Sequence, residues 1–188
     1  RQMCIRDRDL DNTLWGGVVG DLGIGSINLG GHNFEGEAFK DFQIFLYGLY
    51  NQGIQLAICS KNDEDLALKT IQENEEMVLK KEFFITWRIN WNDKASNILE
   101  IAKELNLGLD SIVFIDDNPV ERDLVQKLLP DVEVPDMPKD IISYISFIRN
   151  KGYFDQISIT EDDRKRAQTY LDNKKRDDLK KEISSVGM

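Results

Sequence analysis

The sequence predicts a single three-layer α/β domain built around a mostly parallel β-sheet. From Gly53 onward, short apolar runs alternate with longer amphipathic stretches, which is typical of consecutive βαβ units. Polar motifs follow several of these runs directly, as ligand-binding residues do at the carboxyl ends of parallel strands. The length of 188 residues and the hydrophobic content of 41% suit one packed core of this kind.

The periodicity of the apolar residues predicts each element in turn. Leu46 and Leu49 lie on one face of a helix that leads into the first clear strand. Asp63, and either Asn92 or Asp93, are suitable N-cap residues for two later helices. The predicted elements are helix 37–52, strand 54–59, a helix beginning at Asp63, strand 83–86, helix 94–107, strand 112–115, helix 119–129 and a short edge strand 132–134.

A glycine-rich stretch separates Thr13 from the predicted helix 37–52. It has only about 20 residues, and neither it nor the segment 60–94 has room for a cap domain. We therefore predict a minimal cap, a short mobile flap whose apolar face, from Trp15 and Val18, covers the site. The alternative is a static hairpin with Trp15 buried in the core.

Composition excludes several classes of function. The 24 Lys+Arg and 34 Asp+Glu give a net charge of −10, which disfavours nucleic acid and anionic membranes as partners. No apolar run approaches the roughly 20 residues of a membrane span, and residues 1–8 lack a signal-peptide core, so we expect a cytoplasmic protein. Two cysteines, Cys4 and Cys59, and one histidine, His32, exclude a disulfide framework and histidine-based triads.

Four short polar motifs remain, and carboxylates dominate them. They are Asp9-Leu-Asp11-Asn-Thr13, Ser60 after the strand 54–59, Lys94 at a helix start, and Asp116-Asp117 after the strand 112–115. Each has a common structural explanation when taken alone, such as an N-cap for Ser60 or a solvated lysine for Lys94. Their order and their strand context together favour a functional site.

The chemistry that this set suits is phosphoryl transfer. One carboxylate serves as nucleophile, further carboxylates hold Mg²⁺, and serine and lysine groups bind the phosphate oxygens. Residues at i and i+2 on an extended segment point the same way, so Asp9 can attack while Asp11 exchanges a proton.

The motifs resemble those of the haloacid dehalogenase (HAD) superfamily. The longer stretches of sequence around the motifs resemble its FkbH-like subfamily, HAD-IIIC. The matching stretches are DLDNTLWGGVVGDLG, GEAFKDFQ, AICSKNDED, RINWNDKASNI, LNLGLDSIVFIDDNPVERD and GYFD. The resemblance implies a Rossmann-like HAD fold with a minimal, C0-type cap, in which strand 112–115 and strand 54–59 flank the Asp9 segment.

The resemblance also implies a role for each motif residue. Asp9 would be the nucleophile and Asp11 the general acid and base, and the other side chains would bind substrate or metal. The implied substrate-binding residues are Thr13, Ser60, Lys61, Asn62 and Lys94, and the implied Mg²⁺ ligands are Asp9, Asp116, Asp117 and the main-chain carbonyl of Asp11.

We expect three parts along the chain. Residues 1–8 resemble translated sequencing-library sequence and are expected to be a non-native leader, because a strand entering Asp9 should be apolar. Residues 9–155 would form the catalytic domain. Residues 156–188 would form a charged helical tail that leads, in the family, to an acyltransferase-like domain.

The family's reaction involves two partners. FkbH-like proteins take a glyceryl unit from a bisphosphoglycerate, a phosphorylated three-carbon substrate, remove phosphate, and load the unit on the phosphopantetheine arm of an acyl carrier protein. The domain would supply the phosphatase half. Three alternatives stay open: a receiver-like phospho-acceptor, which the late position of Asp116-Asp117 disfavours, a general small-molecule HAD phosphatase, and a non-catalytic module that docks a carrier protein.

Overall fold

The computed structural model describes residues 5–31 and 33–153 and the single positions 169, 172 and 176. Four parallel strands form its sheet, in the order β3-β2-β1-β4. The strands are β1 (Ile5–Arg8), β2 (Gln55–Ser60), β3 (Phe84–Ile89) and β4 (Ile112–Ile115). The predicted α/β class is confirmed, and so is the expectation that β2 and β4 flank the strand that leads into Asp9.

Helices cover both faces of the sheet. They are α1 (Val19–Leu22), α2 (Phe34–Asn51), α3 (Glu64–Glu73), α4 (Lys94–Leu105), α5 (Pro119–Leu128) and α6 (Tyr144–Asn150). The buried side chains of α2, α3 and α6 share one hydrophobic cluster, and those of α4 and α5 share the other. The described part of the chain therefore has the three predicted layers.

Strand residues divide between the two clusters by alternation. In β2, Leu56 and Ile58 pack with the α2 side, whereas Ala57 and Cys59 pack with the α4 side. All four are buried because both faces of a parallel sheet are covered by helices. This explains why β2 has an unbroken apolar sequence.

Several element boundaries differ from the predicted ones. Helix α2 begins at Phe34 instead of residue 37, because the Asn33 side chain caps it by accepting a hydrogen bond from the Gly36 N–H. Strand β3 extends to Ile89 instead of residue 86, because Trp87 and Arg88 continue the pairing with β2. The predicted strand 132–134 is wrong, since Glu133 forms only a single parallel bridge with Val113.

The structure describes the two ends of the chain to different extents. Residues 5–8, part of the expected leader, form the inner strand β1 and pair with β2 and β4, and their non-native origin stays a prediction. The tail 156–188 lies outside the described residues apart from Thr169, Asp172 and Arg176, which are helical and exposed. His32 also lies outside them. Within the described ranges, no helix is long and apolar enough to span a bilayer.

Gln43 on α2 connects three segments below the site. Its Nε2 donates to the carbonyl of Leu14, 2.8 Å away, and its Oε1 accepts from the N–H groups of Val78 (2.9 Å) and Leu79 (3.1 Å). The side chain is completely buried, and its bonds satisfy main-chain groups in the interior at Leu14 and Leu79 and at the partly buried Val78. Gln43 therefore holds the loop that follows Thr13 against α2.

We expect the substitution Gln43→Leu to lower the free energy of unfolding by about 3 kcal/mol or more, since each buried polar group left unpaired costs about 1–3 kcal/mol. Urea unfolding followed by circular dichroism measures the change. Gln72→Leu, at an exposed position of α3, is the matched control and should change stability by less than about 0.5 kcal/mol. Equal stability of the two variants would contradict this account of Gln43.

Candidate active site

Asp9 lies at the centre of the candidate site because it follows the central strand. Its N–H donates to the carbonyl of Ile115, 3.2 Å away, which continues the pairing of β1 with β4. Ser60 is the last residue of β2, Asp116 follows β4 directly, and Lys94 is the first residue of α4. The four motifs thus meet at the carboxyl edge of the sheet, where open α/β sheets bind ligands.

The Asp9 carboxylate receives hydrogen bonds from three groups. The Ser60 hydroxyl donates to Oδ1 at 2.6 Å, and the Leu10 N–H donates to the same oxygen at 2.9 Å. The Lys94 ammonium lies 2.8 Å from Oδ2. Both oxygens of the carboxylate therefore have fixed directions, as a nucleophile in this position would require.

Lys94 joins two carboxylates in the interior. Its Nζ also lies 2.5 Å from Oδ2 of Asp116, and only 1% of the residue is exposed. Burial disfavours the charged ammonium, but the negative charges of Asp9 and Asp116 outweigh that penalty and raise the pKa of Lys94 above its usual range. Lys94 is a permanent cation at the base of the site.

The remaining carboxylates carry more negative charge than Lys94 neutralises. Carboxylate oxygens of Asp9, Asp116 and Asp117 all lie within 4.8 Å of one another. Burial, together with the charge of Asp9, raises the pKa of Asp116 to about 6, and burial also raises the pKa of Asp117. These three carboxyl groups and one lysine leave an excess of negative charge, which a divalent cation would neutralise. Because all the donor atoms are oxygens, the site suits Mg²⁺. The residues present therefore fit the metal that the sequence predicts.

The Asp11 carboxylate is held by donors of its own. Its Oδ1 accepts hydrogen bonds from the Trp15 indole at 2.8 Å and from the Val19 N–H at 3.1 Å, and its Oδ2 accepts from the Asn62 amide at 2.9 Å. Burial raises the pKa of Asp11 despite these bonds. A raised pKa favours the protonated form that a general acid needs. The predicted metal contact through the Asp11 main-chain carbonyl stays a prediction.

The expectation that Trp15 contributes to the apolar face of a flap over the site is wrong, whereas the mobility of the segment stays a prediction. Trp15 is completely buried, because its ring packs in the α2-side core while its indole N–H bonds to Asp11. Gly16 pairs with Asn28 in an antiparallel bridge and lies so close to Phe39 that a Cβ would meet the ring at 2.8 Å. The alternative of a hairpin with Trp15 buried in the core describes Trp15 correctly. Val18, by contrast, is exposed as predicted.

The other predicted substrate-binding residues have different surroundings. Thr13 is completely buried, and its hydroxyl has no hydrogen-bond partner among the described residues. Lys61 forms an ion pair with Glu121 at 2.6 Å. Asn62 binds Asp11 and so contributes to the site through that residue. Ser60 and Lys94, by contrast, both contact Asp9 directly.

Reasoning from the sequence missed Arg122. Its guanidinium contacts the main chain of both Asp116 and Asp117. The signal that could have identified it is its position in the first turns of α5, where a positive charge opposes the helix dipole. It also missed Trp15 as a partner of Asp11, for which the spacing of four residues gave no specific indication.

Comparison with known proteins gives a match among solved structures. No family model and no curated protein matches the chain. Among solved structures, the chain matches the N-terminal part of a Bacteroides fragilis protein, a crystal structure that contains a phosphatase domain complexed with Mg. The TM-score is 0.79 and the sequence identity is 44%, over 81% of this chain and 40% of the other. The chain therefore spans about two fifths of its structural neighbour, and the two share one fold.

Proposed function

We propose that this chain is a Mg²⁺-dependent phosphatase of the HAD type, which acts through an aspartyl-phosphate on Asp9. The observation that carries the proposal is the convergence on one carboxylate: Ser60 and Lys94 both contact Asp9, and Asp116 and Asp117 lie beside it. The likeness to a phosphatase domain complexed with Mg supports it independently.

In the first half of the reaction, a carboxylate oxygen of Asp9 forms a bond to phosphorus as the bond from phosphorus to the leaving oxygen breaks. Asp11 gives its proton to that oxygen. The proton belongs on Oδ2, which accepts one hydrogen bond, because Oδ1 already accepts two. Ser60 and Lys94 then bind the phosphoryl oxygens.

In the second half, water attacks the phosphorus of the aspartyl-phosphate and gives its proton to Asp11. The bond between phosphorus and the Asp9 oxygen breaks, which releases phosphate and restores the carboxylate. Asp9, Asp116 and Asp117 would hold Mg²⁺, which supplies positive charge to the phosphoryl group and lowers its repulsion from the nucleophile.

We further propose an FkbH-like role, in which the phosphate comes from a bisphosphoglycerate-derived three-carbon unit and an acyl carrier protein receives the glyceryl group. The sequence similarity to the FkbH-like subfamily supports this role, since the matching stretches extend well beyond the four catalytic motifs. The open approach to the site supports it too: among the described residues, only α1 precedes α2 after Thr13, and only α3, a short 3₁₀ turn and β3 separate Ser60 from Lys94. A site without a cap domain can accept a long carrier arm.

Two rival functions make different predictions. A general small-molecule phosphatase would hydrolyse a range of phosphate esters with similar kcat/KM and without any effect of a carrier protein. A non-catalytic docking module would bind a phosphopantetheinylated carrier protein and release no phosphate from any ester. Rates on a panel of two- to six-carbon phosphate esters, with and without carrier protein, distinguish these functions.

The substitution Asp9→Asn should abolish phosphate release, because an amide is not a nucleophile. We expect a loss of roughly a thousandfold or more in kcat on p-nitrophenyl phosphate, measured by release of p-nitrophenolate. Asp41→Asn, an exposed position on α2, is the matched control and should keep wild-type activity. Full activity of Asp9→Asn, or wild-type activity that EDTA does not reduce, would contradict the proposal.

The substitution Trp15→Phe should impair the general acid, because it removes the indole donor to Asp11. We expect kcat on an alkyl phosphate such as glycerol phosphate to fall by about tenfold or more, which is part of the 10²- to 10⁴-fold that such acids contribute. The loss on p-nitrophenyl phosphate should be smaller, since its leaving group needs little protonation.

Trp87→Phe is the matched control, because the Trp87 indole donates to Glu64 near the surface instead of to a site residue. It should leave both rates unchanged. Equal losses on the two substrates in Trp15→Phe would assign the effect to general distortion of the site and contradict a role through Asp11.

A further inference from the structure

Arg122 is a buried arginine for which the proposed reaction has no direct use. Only 8% of the residue is exposed. One guanidinium nitrogen, Nη1, donates to the main-chain carbonyls of both Asp116, at 2.9 Å, and Asp117, at 2.8 Å. The other, Nη2, donates to Asp136 at 3.0 Å. Arg122 thus binds the backbone of the two acidic residues, not their carboxylates.

We propose that Arg122 is a positioning residue for the metal site: it holds the backbone of residues 116–117 so that both carboxylates face Asp9. The inference rests on the proposed function, because it assumes that these carboxylates bind a divalent cation.

The two acidic residues differ in how their carboxylates are fixed. Asp116 is held by Lys94 at Oδ2 and by the Asn118 N–H at Oδ1. The group that hydrogen-bonds to the Asp117 carboxylate is its own main-chain N–H, so the direction of that carboxylate depends on its backbone. The Arg122 guanidinium binds the carbonyls of both Asp116 and Asp117, and these two bonds fix the orientation of that backbone.

The place of Arg122 in α5 supports a role outside the helix. The helix begins after the N-cap Asn118, so Arg122 lies in its first turns, where a positive charge opposes the helix dipole. The ion pair with Asp136 offers little compensation, because the Asp136 side chain is 97% exposed and exposed pairs contribute about 0–1 kcal/mol. The contacts that justify a cation here are those with residues 116–117, where it also offsets the repulsion among the acids.

Direct binding of Mn²⁺ to the whole chain, followed by electron paramagnetic resonance, tests the proposal without any substrate. We expect Arg122→Met to weaken Mn²⁺ binding by about tenfold or more, the effect typical of residues that orient metal ligands. Arg122→Lys keeps the charge, but its ammonium lacks the planar fork, so its affinity should lie between those of wild type and Arg122→Met. At saturating Mn²⁺, kcat of both variants should recover toward the wild-type value.

Arg149→Met is the matched control, because Arg149 lies on α6 against the ring of Phe45. It should bind Mn²⁺ as wild type does. Circular dichroism establishes that each variant is folded, and if Arg122→Met is not, Arg122→Lys carries the test.

Each remaining outcome decides the question. Unchanged Mn²⁺ affinity in a folded Arg122 variant overturns this inference and leaves the proposed function intact. An equal loss in Asp136→Asn also overturns it, because the effect would then belong to the surface ion pair. Failure of the wild-type chain to bind Mn²⁺ overturns the metal site itself, and the inference with it.

Discussion

The buried ammonium of Lys94 is the constraint on which the site depends. It contacts carboxylates from two different places, Asp9 after β1 and Asp116 after β4, while its own backbone begins α4. A buried charge is tolerated only when its partners are correctly placed, so removing Lys94 would leave the buried Asp116 carboxylate without a cationic side chain. The arrangement therefore requires three segments of the chain to be placed precisely enough for one ammonium to reach both carboxylates.

Local structure explains how that precision is reached. Asp93 caps α4 by accepting a hydrogen bond from the Ser96 N–H, which makes Lys94 the first helical residue and directs its side chain toward the sheet. The parallel pairing of β1 with β2 and β4 brings Asp9, Ser60 and Asp116 to the same edge. The ends of ordinary strands and of one helix thus bring together acidic side chains that would otherwise repel one another.

Much of this could be predicted from the sequence, because strong signals specify it. Strand 112–115 is correct to the residue, since an apolar run ends sharply at Asp116. The adjacent acids of this motif and Ser60 were assigned to the site from their place after strands. Strand β1 gave no such signal: three of residues 5–8 are charged, yet pairing on both sides makes them an inner strand. Backbone pairing needs no apolar side chain, so hydropathy alone could not identify it.

The contacts that two residues make with Asp11 were not predicted. Asn62 was implied only as a substrate-binding residue, yet both Asn62 and Trp15 donate to Asp11, and a lone asparagine or tryptophan has many common structural uses. Trp15 was assigned to the surface of a flap because glycines surround it in sequence. Those glycines instead allow close packing, as at Gly16 against Phe39, which the linear pattern does not distinguish from mobility.

The bond between Trp15 and Asp11 couples the proton donor to the hydrophobic core. The indole ring packs in the α2-side cluster, and its N–H holds the Asp11 carboxylate. Trp15 therefore cannot leave the core without breaking its hydrogen bond to the acid. Partial opening of residues 15–22 would release Oδ1 of the acid from both of its donors while the sheet stayed folded. On heating, catalytic competence would then be lost before the global unfolding transition, and mutations that loosen packing around Phe39 would widen that interval.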